Sequence, residues 1–382
     1  MRKLLTILFF FILAHNAIGQ EMFYALNKSQ GPSPNAFVTT WAIPSASYTL
    51  SIPFIGANNF VIDWGDGTSE IVNTSTTKTH TYTASGTYTI AIDGTCPSIN
   101  FLNKTELRTI TAWGNIGCTS FSCQSSGLTT ISATSSSVFF SGCANLQNSF
   151  RFTALTAIPA GLFNSATGVT SFRSAFQNCT ALTAIPAGLF NNNTSVTDFT
   201  TTFSGCSGLT TIPTGLFDYN TGVLTFATTF SFCSGLTTIP TGLFNNNTAV
   251  ISFLSTFQNC TALTTIPTGL FNNNTAVTNF NLTFGSCSGL TGAIPTGLFD
   301  NNTAANNFQQ TFGGCNKLTA IPAGLFNNNT AANNFNGTFN GCTSVTSDVP
   351  TLWVSYPSAT HTQCFLNCTS ASNYSSIPSD WK

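Results

Sequence analysis

The chain predicts a repeat solenoid of short strands and short helical turns, preceded by a small all-β sandwich. Three observations carry that prediction. A 27-residue unit recurs seven times across residues 152–342. Phe, Leu, Ile, Val and Cys hold fixed places within it. Ahead of it, residues 37–95 alternate apolar and polar residues in short runs divided by turn formers. Self-similarity at a period of roughly 20–50 residues marks units that bury an apolar face only by stacking on their neighbours.

In chain order, residues 1–19 read as a secretory signal. Arg2 and Lys3 precede an apolar run from Leu4 to Ala14, and Ala17-Ile18-Gly19 supplies a small-x-small cleavage site. The run is too short to span a bilayer comfortably. No Cys follows it, so a lipid-modified N-terminus is not indicated. Residues 20–36 are polar, contain Gly31-Pro32-Ser33-Pro34 and read as a flexible linker.

Four strand patterns follow: Phe37 to Trp41, Tyr48 to Ile52, Phe60 to Trp64 and Thr87 to Ile92. Asp66-Gly67 is a tight hairpin signal. The pieces Trp64-Gly65-Asp66-Gly67-Thr68, His80-Thr81-Tyr82 and Gly86-Thr87-Tyr88 fall in the order of the PKD (polycystic-kidney-disease-type) Ig-like domain, which residues 37–95 resemble. That resemblance implies a spacer or adhesion module, not a catalyst. Asp63, Asp66 and His80 are three potential metal ligands, but two lie in a turn the fold needs anyway, and turn chemistry is the favoured reading.

Residues 96–151 hold fragments of the repeat at irregular spacing, as in Leu107-Arg-Thr-Ile110 and Phe139-Phe-Ser-Gly-Cys143, and read as an N-terminal cap with degenerate repeats. Within one full unit, Leu-Thr-x-Ile is a short extended piece stopped by Pro. Gly-Leu-Phe-Asn-Asn-Asn turns the chain. Val-Thr-x-Phe is extended again, and Thr-Phe-x-x-Cys spans about one helical turn. Residues 343–382, with Trp353, Tyr356 and Trp381, read as the C-terminal cap.

Three Phe per unit recur in register, for example Phe190, Phe199 and Phe203, and are expected in the core, stacked along the axis. Cys179, Cys206, Cys233, Cys260, Cys287, Cys315 and Cys342 share one place, three residues after a Phe. Phe152 falls in the same slot of the first unit by 27-residue counting, so the slot reads as buried and apolar, and its thiols as free. Cys364 and Cys368, and Cys96, Cys118 and Cys123, lie off that column and are the better disulfide candidates.

The pattern Cys260-x-x-Leu263-x-x-Ile266, Phe271, Val277-Thr278-x-Phe280, Phe284, Cys287 is similar to the leucine-rich repeats of BspA-like bacterial surface proteins, especially the subtype of mycoplasma surface lipoproteins. The resemblance covers about residues 96–382. It implies a leucine-rich-repeat solenoid with a surface-exposed role in binding or adhesion. The Ile-Pro-x-Gly-Leu-Phe segment and the lack of a lipid-anchor Cys depart from that family.

Composition excludes several function classes. Charged residues make up 5 % and net charge is −1, which leaves no basic patch for nucleic acid. Between Cys179 and Cys342 the charged residues are Asp198, Asp218, Asp300 and Lys317 alone, too few for an acid–base pair. The sequence therefore reads as no enzyme, with no cofactor, no metal and no small-molecule substrate. What remains is a secreted or cell-surface protein binding a protein or glycan on another cell or matrix. The candidate contact residues are the recurring amides Asn192, Asn246, Asn273, Asn301 and Asn328. The alternative is a purely structural stalk or layer component, or an ice-binding Thr plane.

Overall fold

A computed structural model describes residues 31–131 and 138–382. The signal segment and most of the linker lie outside the described residues. Among the described residues the chain is mostly β and turn, with a single α-turn, α1 (Leu352–Ser355). A repeated array fills the second half.

The N-terminal region is built from β1 (Phe37–Ile43), β2 (Tyr48–Phe54), β3 (Asn59–Asp63), β4 (Ser69–Val72), β5 (Thr76–Tyr82) and β6 (Gly86–Thr95). β2 and β5 form a two-stranded sheet. β1 pairs antiparallel with β6, and β6 with β3, so their inward residues Phe37, Trp41, Ile62, Ile90 and Ile92 face one core. Alternation explains this: successive side chains point to opposite faces, and the apolar set lies on one of them. Trp64 is buried under the turn that follows β3, and the Tyr82 hydroxyl donates to its carbonyl at 2.9 Å.

The sheet does not stop at residue 95. β7 (Ser98–Asn100) pairs with β9 (Ser120–Ser122). β8 (Leu107–Ala112) adds to the free edge of β1, and β10 (Thr130–Ile131) pairs parallel with β8. The switch from antiparallel to parallel pairing at β8 starts the array. One hydrophobic core then runs from Phe37 to Trp381. This also covers a sheet edge that would otherwise present unpaired backbone groups.

From there each unit is one rung, and parallel bridges link Ser171, Asp198, Thr225, Ser252, Asn279, Asn307, Asn334 and Thr360 in sequence. The three Phe columns stack as expected. Phe217–Phe244, Phe226–Phe253 and Phe230–Phe257 have centroids 6.3, 6.0 and 5.7 Å apart, with interplanar angles of 10°, 6° and 5°.

The expected helical turn does not form within the rungs. Thr228 and Phe232 have φ of +54° and +59°, and Ser255 and Asn259 repeat the pair at +53° and +58°. A left-handed residue every fourth position stops helix propagation at a cost of roughly 1–2 kcal/mol each. In return, alternate amides point at the next rung: Thr228 donates to Leu254, Phe230 to Thr256 and Phe232 to Gln258, at 2.8, 2.9 and 2.7 Å. The single 28-residue unit absorbs its extra residue at β11 (Gly292–Ala293), which pairs parallel with β12 (Leu318–Ala320) through a register shift.

The frame of the first rung also differs from 27-residue counting. Phe150 stacks on Phe176 at 5.3 Å and 5°, a step of 26 residues. Phe152 is therefore not in the Cys slot; it is 46 % exposed, beneath the Arg151 guanidinium. Thr153 fills the slot, with its hydroxyl 2.8 Å from the Phe150 carbonyl and 3.3 Å from Cys179 Sγ.

Candidate binding face

Three buried side-chain columns hold the rungs together, and they decide what is left for a partner. The first is an amide column. Asn247 donates both Nδ2 hydrogens to the preceding rung, to the Phe217 carbonyl at 3.1 Å and the Asn220 carbonyl at 2.9 Å. Asn193, Asn220, Asn274, Asn302 and Asn329 do the same. Their Oδ1 atoms are buried without a donor. The second column is hydroxyl: Thr256 lies 2.8 Å from the Phe253 carbonyl of its own rung and 3.0 Å from the Phe226 carbonyl of the one before.

The third is the thiol column. Cys260 Sγ donates to the Phe230 carbonyl at 3.1 Å, and Cys206, Cys233, Cys287 and Cys315 repeat the contact. All thirteen cysteines are free and buried, including Cys364, Cys368, Cys96, Cys118 and Cys123. Burial pushes the Cys233 and Cys287 thiols up to about 12, and holds Cys206, Cys260, Cys315 and Cys342 well above the usual thiol range. A protonated buried thiol is inert as a nucleophile. Thr153 and Cys179 share this slot because each is small and carries a hydrogen to donate.

The candidate amides stand one residue before the buried column and face outward. Asn192, Asn246, Asn273, Asn301 and Asn328 are exposed. Each spends one Nδ2 hydrogen on a backbone carbonyl of the preceding rung: Asn164, Asp218, Asn245, Asn272 and Asp300, at 3.3, 3.2, 3.0, 3.0 and 3.2 Å. The second hydrogen and Oδ1 remain for solvent or a partner. The structure thus brings the five into one column and fixes their orientation. Counting along the sequence misses one occupant: Tyr219 holds the same place between Asn192 and Asn246, and is 57 % exposed.

A threonine row lines another side of each rung. Thr237 and Thr264 donate to the carbonyls of Thr210 and Thr237, at 3.2 and 3.3 Å. Their hydroxyl protons are directed into the protein, which leaves lone pairs outward.

In the N-terminal region Asp66, His80 and Asp63 do turn work. Asp66 Oδ1 accepts from the Thr68 amide and hydroxyl, its Oδ2 lies 2.7 Å from His80 Nε2, and Asp63 Oδ1 accepts from the Gly65 amide. Burial works to raise the Asp66 carboxyl, but its bonds to Thr68 and His80 outweigh that and hold it below the ordinary value. His80 stacks on Trp64 at 4.9 Å.

No protein-family model matches the chain. No curated protein matches it either. Among solved structures there is a likeness to the crystal structure of a TLR13–ssRNA13 complex, at 12 % identity and a TM-score of 0.14, over 53 % of this chain and 46 % of that one. The chain thus spans about half the length of that structure, and a likeness this slight carries no weight. Among the described residues no helix is long and apolar enough to cross a membrane.

Proposed function

We propose that the chain is a secreted or cell-surface binding protein. On this reading its array, a solenoid of leucine-rich-repeat type, offers a neutral Asn/Thr-rich face to a protein or glycan partner. The PKD-like region is its spacer. The observation that carries the reading is the outward amide column. Asn192, Asn246, Asn273, Asn301 and Asn328 each hold a free N–H and a free carbonyl in a fixed direction, on a scaffold whose rungs are joined by other, buried side chains. Groups held rigid before binding lose little entropy when a partner arrives. The chemistry is neutral, so it suits partners recognised by hydroxyls and amides in place of charge. With the column thiols protonated and carboxylates sparse, a non-enzymatic role fits the same face.

Full-length protein applied to glycan arrays and to immobilised matrix proteins tests this. Saturable binding to a neutral glycan or a matrix protein is expected, and it should fall when the five amides are changed together to Ala. Silence on both supports, or binding indifferent to the five changes, overturns the reading. The stalk reading draws on a different observation, the unbroken core from Phe37 to Trp381. It expects no partner and only a contribution to reach.

A further inference from the structure

Exposed large apolar side chains are unevenly placed. Between residues 153 and 353 they are Tyr219, Leu224, Phe232 and Ile251, at 57, 47, 55 and 50 % exposure. All fall on the rung 206–232 and the one after it. In the neighbouring rungs the same positions hold small or polar residues: Asn192 and Asn246 beside Tyr219, Thr197 and Thr278 around Leu224 and Ile251, Gly205 and Asn259 around Phe232; the first rung repeats the last of these places with the half-exposed Phe152. Between the two ends of the array, where Phe152 and Val354 are also exposed, a repeat that otherwise keeps its surface small and polar departs from that habit at its middle.

Tyr219 is the departure best placed to recognise something. Among the described residues its ring has no aromatic partner, unlike the Phe columns, and its hydroxyl no hydrogen-bond partner. Its backbone is nevertheless clamped. The Asp218 amide donates to Gly215, the Asn220 amide to Phe217, and Asn246 Nδ2 reaches the Asp218 carbonyl from the next rung. An exposed aromatic side chain thus stands on a fixed stretch of backbone between two amides, one rung away on each side, at roughly the 4.8 Å spacing of paired strands. A pyranose ring has the matching shape, with an apolar C–H face and a rim of hydroxyls. The tyrosine covers the first, and the free halves of Asn192 and Asn246 bond the second. Between Arg173 and Lys317 there is no cationic residue, and the residue before the tyrosine is Asp218. That charge balance disfavours phosphate, sulfate and uronate groups.

We infer that Tyr219, flanked by Asn192 and Asn246, is the principal subsite for a neutral polysaccharide. This rests on the binding reading above and narrows it to one sugar class at one place along the array. Electrophoresis of the full chain through gels containing dextran, mannan, xyloglucan or a β-1,3-glucan tests it, with alginate and chondroitin sulfate as anionic arms. Tyr219→Asn is the decisive variant, because it installs the residue the neighbouring rungs already use and so preserves the fold. The expected result is retardation by at least one neutral polymer, an apparent Kd at least tenfold weaker in Tyr219→Asn, and a change under twofold in Leu224→Thr. Equal binding by wild type and Tyr219→Asn overturns the subsite while leaving the amide face standing. Retardation only by the anionic polymers overturns the neutral-sugar assignment. No retardation in any gel, with matrix-protein binding retained, overturns the sugar and keeps the broader reading. Loss of both removes both.

Discussion

β1 and β6 in the N-terminal region lie in antiparallel register over seven consecutive residue pairs, from Phe37 opposite Ile92 to Ile43 opposite Gly86. Rungs of the array share one bridge each, such as Thr225 with Ser252, their alternate amides bond carbonyls of the next rung, and side chains add to these bonds. In the first region backbone pairs with backbone along whole strands, and side-chain bonds such as Tyr82 to the Trp64 carbonyl are local additions. In the second, Asn247, Thr256 and Cys260 reach back to carbonyls that a regular ladder would have satisfied. The difference teaches how a chain can stack turns. Left-handed residues remove helical bonding, the freed amides bond the next rung, and a buried amide, hydroxyl and thiol per rung add donors of their own. Polar residues in this core are structural members, and those one step outside it face solvent.

The contrast can be broken most severely with alkali. Native column thiols keep their protons above the ordinary thiol value of 9.0, whereas unfolded ones lose theirs near it. Over that interval the native state binds more protons, so stability is intact below pH 9 and falls as pH rises toward 12, by about 1.4 kcal/mol per pH unit per thiol. Seven such thiols exceed a typical total stability of roughly 5–15 kcal/mol within one or two pH units. Circular dichroism of the reduced protein is expected to show cooperative unfolding not far above pH 9; native spectra at pH 11 would contradict the ladder.

Next in size is the stack itself. Phe253→Ala should cost about 3–5 kcal/mol in denaturant unfolding. Phe150→Ala should cost a comparable amount, while Phe152→Ala stays within about 0.5 kcal/mol because that ring is half exposed. Equal costs at 150 and 152 would return the first rung to the 27-residue frame.

Smaller effects separate the two neighbouring amides. Asn247→Ala removes two donors from buried carbonyls and is expected to cost about 2–4 kcal/mol; Asn246→Ala, outward with one bond, should cost about 0.5 kcal/mol or less. The smallest difference lies in the slot shared by Thr153 and Cys179. Cys260→Ser keeps a hydrogen for the Phe230 carbonyl, and Cys260→Ala does not, so the alanine variant should be less stable by about 1 kcal/mol. Parity between the two would make the slot merely apolar.

Period and apolar register made the stacked Phe columns legible in advance, because burial alone dictates where Phe190, Phe199 and Phe203 go. Alternation likewise located Phe37 to Trp41 and Tyr48 to Ile52. The polar ladders were not legible. Asn246 and Asn247 are the same residue side by side, and only the turn geometry sends one inward. The helical reading of Thr-Phe-x-x-Cys failed for a similar reason: nothing in Thr228 or Phe232 announces positive φ, which is imposed by bonding to the next rung. The slot assigned to Phe152 failed because one rung is a residue short, and composition alone cannot register a 26-residue step. Of the candidate face, the amide column was visible as a pattern. Tyr219 was visible only as an exception, once the column existed in space.

The identical bonding of successive rungs has a consequence for length. Every carbonyl covered by one rung is replaced by the same carbonyl of the next, so excising residues 260–286, one whole period, exposes no new unpaired group and joins surfaces that already match. Reach and chemistry are therefore separate variables in this chain. The array is a ruler, graduated in rungs, that can be lengthened or trimmed by whole divisions while the mark at Tyr219 keeps its identity and only its distance from the end is reset.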